Sequence, residues 1–242
     1  MPYRTPERLD AVKAFRHLGQ PGFVRALART AADWDFDHAV SVPTLPVEAL
    51  VEKDLDVRLR VGSGQFGETP MTDLVALSLL IAQACPSVLF EFGTFTGLGT
   101  LHMALNAPEG IVHTVDLRPS ERTSISGLDW EADIDQSAVG SLYQADVDVA
   151  SRVRQHWGDS RDFDTSELRG KVGFIFIDAA HSYEFVRSDT LKAIELAAPG
   201  ATVVWHDYHR VCPDVQRVVA EQVPQYAPVA VAGTSIALMR LP

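Results

Sequence analysis

The segment Val88-Leu89-Phe90-Glu91-Phe92-Gly93-Thr94-Phe95-Thr96-Gly97 constrains this chain more than any other. An apolar run ends in an acidic residue, turns through two glycines and enters the helix-like stretch Leu98–Leu105. A buried strand that feeds a glycine turn and a helix N-terminus is how α/β proteins hold nucleotide-like ligands. The glycines let the backbone approach, and the first helical N–H groups are left for the ligand. The spacing Gly93-x-x-x-Gly97-x-Gly99 differs from the G-x-G-x-x-G of dinucleotide-binding turns. Glu91 would repel a pyrophosphate, so the expected ligand carries positive charge.

A chain of 242 residues can bury one substantial core and carry an accessory part. Its formal charge of −11 speaks against nucleic acid, whose phosphates need a basic field, and for a small-molecule partner. Cys85 and Cys212 form neither a disulfide framework nor a metal-ligand spacing and read as reduced thiols. The start, Met1-Pro2-Tyr3-Arg4, has no apolar signal-peptide core. The longest apolar stretch, Leu74–Ala82, is interrupted by Ser78 and is too short for a bilayer. A cytoplasmic protein with no membrane partner is expected.

Residues 1–69 carry helical patterns and no convincing buried strand. Thr5-Pro6-Glu7 opens a first helix that Gly19 stops, a second covers Phe23–Ala32, and a short third covers Val47–Lys53. Arg4, Arg8, Lys13, Arg16, Arg25 and Arg29 read as the solvated face of these helices, with a homodimer contact as the alternative. Glycines at 62, 64 and 67 mark Val61–Gly67 as a mobile loop. From residue 70 to 242 strands and helices alternate. Helix Pro70–Ala84 is followed by strands at Val88–Phe92, Ile111–Asp116, Val153–Trp157, Val172–Asp178 and Thr202–Asp207. Helices fall at Ser182–Ala198 and Asp214–Gln222, and Val229–Val231 and Ser235–Met239 flank a hairpin turn. This order predicts an α/β fold: a Rossmann-like doubly wound parallel sheet, an antiparallel C-terminal hairpin and an N-terminal helical extension.

In such a sheet, ligands sit beyond the carboxyl ends of the strands. The second strand ends at Asp116, 23 positions after Gly93, where an acidic side chain accepts hydrogen bonds from a ribose diol. A helix-capping or loop aspartate is the plainer alternative. Asp159, in Gly158-Asp159-Ser160 after the third strand, is placed either to take an adenine amino group or to cap the next helix. The fourth strand ends at Asp178 and the fifth at His206-Asp207.

From about Pro70 to Pro242 the chain resembles class I S-adenosylmethionine (SAM)-dependent methyltransferases. The resemblance is carried by Glu91-Phe92-Gly93-Thr94-Phe95-Thr96-Gly97, Asp116, Gly158-Asp159-Ser160, Phe176-Ile177-Asp178-Ala179-Ala180-His181-Ser182-Tyr183, and Pro199-Gly200 leading into Val203-Val204-Trp205-His206-Asp207-Tyr208. Within the class it is most similar to small bacterial enzymes with ID-x-x-H-S-Y and HDY signatures. It is more distantly similar to O-methyltransferases acting on catechols, caffeoyl esters and antibiotic sugars. The resemblance implies SAM as cofactor, its ammonium and sulfonium charges suiting Glu91. It places Gly93, Thr94, Phe95, Thr96 and Gly97 at the methionine end, Asp116 and Leu117 at the ribose, and Asp159 and Ser160 at the adenine, with Asp178 in the same pocket.

Catechol-type relatives also hold a divalent ion, with a carboxylate after the fourth strand and two oxygen ligands after the fifth. Asp178 and Asp207 match two of these positions, so a magnesium or manganese ion is one reading. Here His206 precedes and Tyr208 follows Asp207 where relatives carry Asp or Asn. An imidazole suits manganese, iron or zinc better than magnesium. In the other reading Asp178 hydrogen-bonds within the cofactor pocket and His206-Asp207 act without metal.

Methyl transfer from a sulfonium is an in-line displacement, so the protein must align nucleophile and methyl and exclude water. An oxygen nucleophile is helped by a base, and histidine titrates near neutral pH. His181 and His206 are the candidates, with Asp207 orienting either; His181 as a helix cap is the alternative. His209, Tyr183 and Tyr208 are placed to line an acceptor pocket, whereas His102, His113, His156 and Trp205 read as structural. The insert 118–142, with Asp129, Glu131, Asp133 and Asp135, is either a solvated loop or a lid with Tyr143 reaching inward. The expected activity is methylation of a small-molecule hydroxyl. Methylation of an electron-rich ring carbon, a non-catalytic SAM-binding subunit and a nicotinamide oxidoreductase are the competing readings. Glu91 and the missing G-x-G-x-x-G oppose the last.

Overall fold

The computed structural model describes residues 42–52, 54–121 and 138–242. In chain order its elements are β1 (Thr44–Leu45), α1 (Met71–Ala84), β2 (Val88–Phe92), α2 (Leu98–Asn106), β3 (Ile111–Asp116), α3 (Ser141–Gln144), α4 (Val147–Ser151), β4 (Val153–Trp157), β5 (Val172–Ile177), α5 (Tyr183–Leu196), β6 (Ala197–Trp205), α6 (Pro213–Glu221), α7 (Val223–Tyr226), β7 (Val229–Val231) and β8 (Ala237–Arg240). Short 3-10 turns stand at Val47–Ala49 and Ser160–Asp162.

The strands form one sheet in the order β1-β7-β8-β6-β5-β2-β3-β4. From β4 across to β6 neighbouring strands are parallel, and β8 runs antiparallel to both β6 and β7. The central strands are apolar on both sides because helices cover both faces. Phe90, Ile175, Val203 and Trp205 pack toward α5 and α6, and Leu89, Phe174, Phe176 and Val204 pack toward α1 and α2. Every residue of α2 is buried.

Strand order decides where a ligand can sit. The chain runs outward from β2 through β3 to β4, then crosses back to β5 on the other side of β2. The loops leaving β2 and β5 therefore diverge, and the crevice between them is the switch point of the sheet. The backbone fixes this edge: Asp178 N–H donates to Phe92 O at 2.9 Å, and Gly93 N–H donates to Val115 O at 2.9 Å.

The parallel sheet and the closing hairpin match the expected architecture. Three elements differ. The expected helix Val47–Lys53 is only the turn Val47–Ala49, because Pro46 precedes it without a side-chain cap and the turn buries none of its residues. Residues before 70 also contribute a strand, with Thr44–Leu45 lying parallel to β7 at the sheet edge. A two-residue strand has no periodicity to read. Val61–Gly67, expected to be mobile, folds around Glu68, whose carboxylate accepts from Ser63 N–H (3.2 Å), Ser63 Oγ–H (2.8 Å) and Gly64 N–H (2.9 Å). The helices expected before residue 41, the dimer contact built on them, and the acidic residues Asp129 to Asp135 lie outside the described residues. Among the described residues no helix is long and apolar enough to cross a membrane.

Candidate active site

The glycine turn after β2 is built as a cradle. Gly93 (φ 91°) and Gly97 (φ 83°) sit in the left-handed region that side chains disfavour. A Cβ on Gly93 would run into the Asp178 carbonyl and stand 2.8 Å from Ala179 Cα, so β2 and β5 approach as closely as backbone allows. Gly97 is the N-cap of α2 and offers no capping side chain, which leaves the first helical N–H groups for an anionic group. Thr96 is buried and its hydroxyl makes no hydrogen bond. An orphaned hydroxyl beside an uncapped helix N-terminus fits a loop shaped for a polar ligand.

Asp116 holds this loop. Its Oδ2 accepts from the N–H groups of Thr94 (3.0 Å) and Phe95 (2.8 Å), and its Oδ1 from Leu117 N–H (2.7 Å). A second support comes from the segment after the insert. Gly140 N–H donates to Phe95 O at 2.7 Å and Leu142 N–H to Thr96 O at 2.9 Å. Tyr143 reaches inward, 4% exposed, and its hydroxyl donates to Gln155 Oε1 at 3.1 Å.

Two residues expected at the cofactor are held by partners within the protein. Glu91 is 1% exposed and turned beneath α2, where the Thr100 hydroxyl and, at 2.7 Å, the Thr114 hydroxyl donate to its Oε2. Burial pushes its carboxyl up to about 8 despite those two donors. A chain from Gln155 Nε2 through the Thr94 and Thr114 hydroxyls ends on the same carboxyl. Asp159 caps the turn Ser160–Asp162 and forks onto Arg161, with Nη2–Oδ2 at 2.6 Å and Nε–Oδ1 at 3.0 Å. Burial would raise its carboxyl, but the Arg161 bonds outweigh this and hold it below the usual range. Asp159 thus fills the capping role that was the alternative to an adenine contact. Ser160 is buried against Asp189 of α5, whose carboxyl burial pushes up to about 7.

The loops after β5 and β6 bring Asp178, His181, His206 and Asp207 together. His206 is 6% exposed, with carboxylates on both sides of its ring. Nε2 lies 3.1 Å from Asp73 Oδ2, and Nδ1 lies 2.9 Å from Asp207 Oδ2 and 3.0 Å from Asp178 Oδ1. Burial would lower its pKa, but Asp178 and Asp207 outweigh burial and raise it well above the ordinary imidazole value. The same pairing acts on Asp207. Burial would raise its carboxyl, while His206 and then His181 hold it well below the usual range. Both ring nitrogens of His206 are thus committed to carboxylates within an enclosed site.

His181 differs. Its side chain is 17% exposed, and Nε2 lies 2.7 Å from Asp207 Oδ2. Asp207 has a left-handed backbone (φ 56°), and its other oxygen accepts from His209 Nε2 at 3.0 Å. Positive φ at a non-glycine residue is a strained conformation of the kind that clusters at functional sites. Asp178 Oδ2 accepts from the Thr69 hydroxyl at 3.2 Å, which joins the segment before α1 to this edge. A cleft there is lined by Asp178, Ala180, His181, Val186, His206 and Val215.

Asp178 and Asp207 were the expected holders of a magnesium or manganese ion, and His206 joins them in one group whose ligand atoms lie within 4.8 Å of one another. Here its Nδ1 pairs with both carboxylates, and an imidazole in such a set suits manganese or zinc better than magnesium. Sequence reasoning missed Asp73 and Ser235. Asp73 lies in the first turn of α1 and accepts from Ser235 N–H at 3.1 Å and from the Ser235 hydroxyl at 2.5 Å. The one available signal was a lone carboxylate opening an otherwise apolar helix. Trp205 is core, its Nε1–H donating to Thr190 Oγ1 at 2.9 Å. His102 is structural, taking Arg60 N–H on Nε2 at 3.0 Å.

A family model described as a methyltransferase domain matches residues 90–208. No curated protein matches the chain. Among solved structures, cofactor-bound Rv0187 from MTB is 20% identical with a TM-score of 0.56, covering 99% of each chain. The O-methyltransferase TomG from Streptomyces achromogenes, in complex with SAM, is 19% identical with a TM-score of 0.54, covering 72% of this chain and 81% of its own. An O-methyltransferase from Bacillus cereus in complex with SAH is 18% identical with a TM-score of 0.53, covering 73% of this chain and 84% of its own. These likenesses establish the fold, and the matched segment spans β2 to the residues after β6, which contain the cradle and the histidine–aspartate edge. The chain thus carries a methyltransferase domain over residues 90–208, in the fold of these SAM- and SAH-bound structures.

Proposed function

We propose that the protein transfers the methyl group of SAM to a hydroxyl of a small molecule, with His181 as the base. The observation that carries this reading is the His181–Asp207 pair, 2.7 Å apart and partly exposed at the switch-point edge. In the tautomer whose Nε2–H donates to Asp207, the basic lone pair is on Nδ1. Asp207 fixes the ring and stabilises the imidazolium that forms. The acceptor oxygen attacks the methyl carbon, the carbon–sulfur bond breaks, S-adenosylhomocysteine (SAH) leaves as a neutral thioether, and the hydroxyl proton passes to His181.

In this reading the Gly93–Gly97 turn takes the methionine end of SAM, with the uncapped start of α2 toward its carboxylate and the Thr96 hydroxyl as a donor. Asp116 and Leu117 border the ribose. His206 acts through Asp207 and Asp178 as a positioning residue. The solved O-methyltransferases with this fold support an oxygen acceptor. The test is SAH release from SAM over a panel of phenolic and sugar hydroxyl compounds. Turnover that His181→Gln abolishes is the expected result. Turnover only on ring-carbon or amine acceptors, or turnover unaffected by that change, would overturn the assignment.

A further inference from the structure

Among the described residues two trios of potential ligand atoms lie within 4.8 Å of one another. One is Asp178, His206 and Asp207, discussed above. The other is His181, Asp207 and Cys212, contributed by three separate elements. His181 follows β5, Asp207 follows β6, and Cys212 is the N-cap of α6. The chain between the last two is tightly coiled. His209 N–H donates to Asp207 O at 2.7 Å and Cys212 N–H to His209 O at 3.0 Å, which keeps the turn between the two ligands tight. His209 Nε2 also bonds Asp207 Oδ1 at 3.0 Å and orients that carboxylate.

We infer that His181, Asp207 and Cys212 form a zinc-binding site. One sulfur, one imidazole nitrogen and one carboxylate oxygen make a borderline-soft donor set that suits zinc and not magnesium or calcium. Three protein ligands leave the fourth tetrahedral position open. Zinc holds nitrogen and oxygen at about 2.0–2.2 Å and sulfur at about 2.3 Å. The His181–Asp207 pair, now 2.7 Å apart, must therefore open by on the order of 0.5 Å to admit the ion. Both side chains are partly exposed, so the ion has a path from solvent. Occupancy would take His181 from the role of base. That consequence rests on the proposed function, whereas binding itself does not.

The test reads binding alone. The full-length protein, stripped with chelator, is titrated with Co(II) and then with Zn(II). The expected result is one equivalent of cobalt with a near-ultraviolet thiolate-to-cobalt charge-transfer band, displaced by zinc. Cys212→Ser should abolish the band. Cys85→Ser, at the exposed second cysteine, should keep it, as should Asp178→Asn, at a carboxylate that is not one of the three proposed ligands. No band in the unaltered protein, or a band that survives Cys212→Ser, would overturn the inference. Should Cys212→Ser fail to fold, His181→Ala decides: at least tenfold weaker cobalt binding supports the site, and unchanged affinity refutes it.

Discussion

Asp116 accepts the N–H of Phe95 at 2.8 Å, and Phe95 holds a left-handed backbone with φ 48°. A non-glycine residue pays about 1 kcal/mol or more for that conformation, and the charged bond from the end of β3 offsets it. The acidic residue that sequence places at the ribose is thus also the clamp that shapes the glycine turn. Asp116→Ala should lower thermal stability and weaken SAM binding together, each by ~1–3 kcal/mol. Melting and calorimetry check this. Weakened binding with an unchanged melting point would show that the carboxylate serves the ligand alone.

The two histidines at the strand ends should separate in mutagenesis. His181→Ala is expected to lower kcat by about 10²–10⁴-fold, the usual range for a general base, with SAM affinity retained. His206→Ala leaves the carboxylates of Asp73, Asp178 and Asp207 without their shared partner and should destabilise the fold by about 3–5 kcal/mol. Equal melting points for the two variants would contradict this division.

Glu91 makes stability depend on pH. Its carboxyl is raised from the ordinary 4.5 to about 8, so between these values the folded chain holds a proton that the unfolded chain has lost. Stability contributed by this group therefore falls as pH rises through that window. Glu91→Gln removes the dependence and should gain on the unaltered protein between about pH 5 and pH 8, the gain growing as pH rises. Parallel melting curves at every pH would show that Glu91 is ionised in its pocket.

Gly93→Ala meets backbone on both counts, a φ of 91° and the Asp178 carbonyl. A side-chain overlap can relax by rotamer change, but this one cannot without separating β2 from β5. A loss of about 2–4 kcal/mol in denaturant unfolding is expected. A loss under 1 kcal/mol would mean that the crevice opens easily.

Much of the fold was legible because its signals are local. Long apolar runs such as Val172–Ile177 and the glycine turn after Phe92 announce buried parallel strands and their connections. Thr44–Leu45 was not legible, since two residues join the sheet only because β7 already stands there. At the site, sequence names the residues that end each strand but not where their side chains go. Glu91 turns into the protein because Thr100 and Thr114 receive it there, and Asp159 is claimed by Arg161 two residues on. Asp73, 133 positions before His206, meets that imidazole through tertiary contact alone. Cys212 meets His181 and Asp207 for the same reason, with no ligand spacing to reveal it.

The central claim is that the cradle between β2 and β5 binds SAM. Calorimetric titration of the full-length protein with SAM and with SAH tests it most directly. Saturable binding of both at one site per chain is predicted, lost or strongly weakened in Gly93→Ala protein that remains folded. Absence of heat and of thermal stabilisation with either ligand would contradict the account.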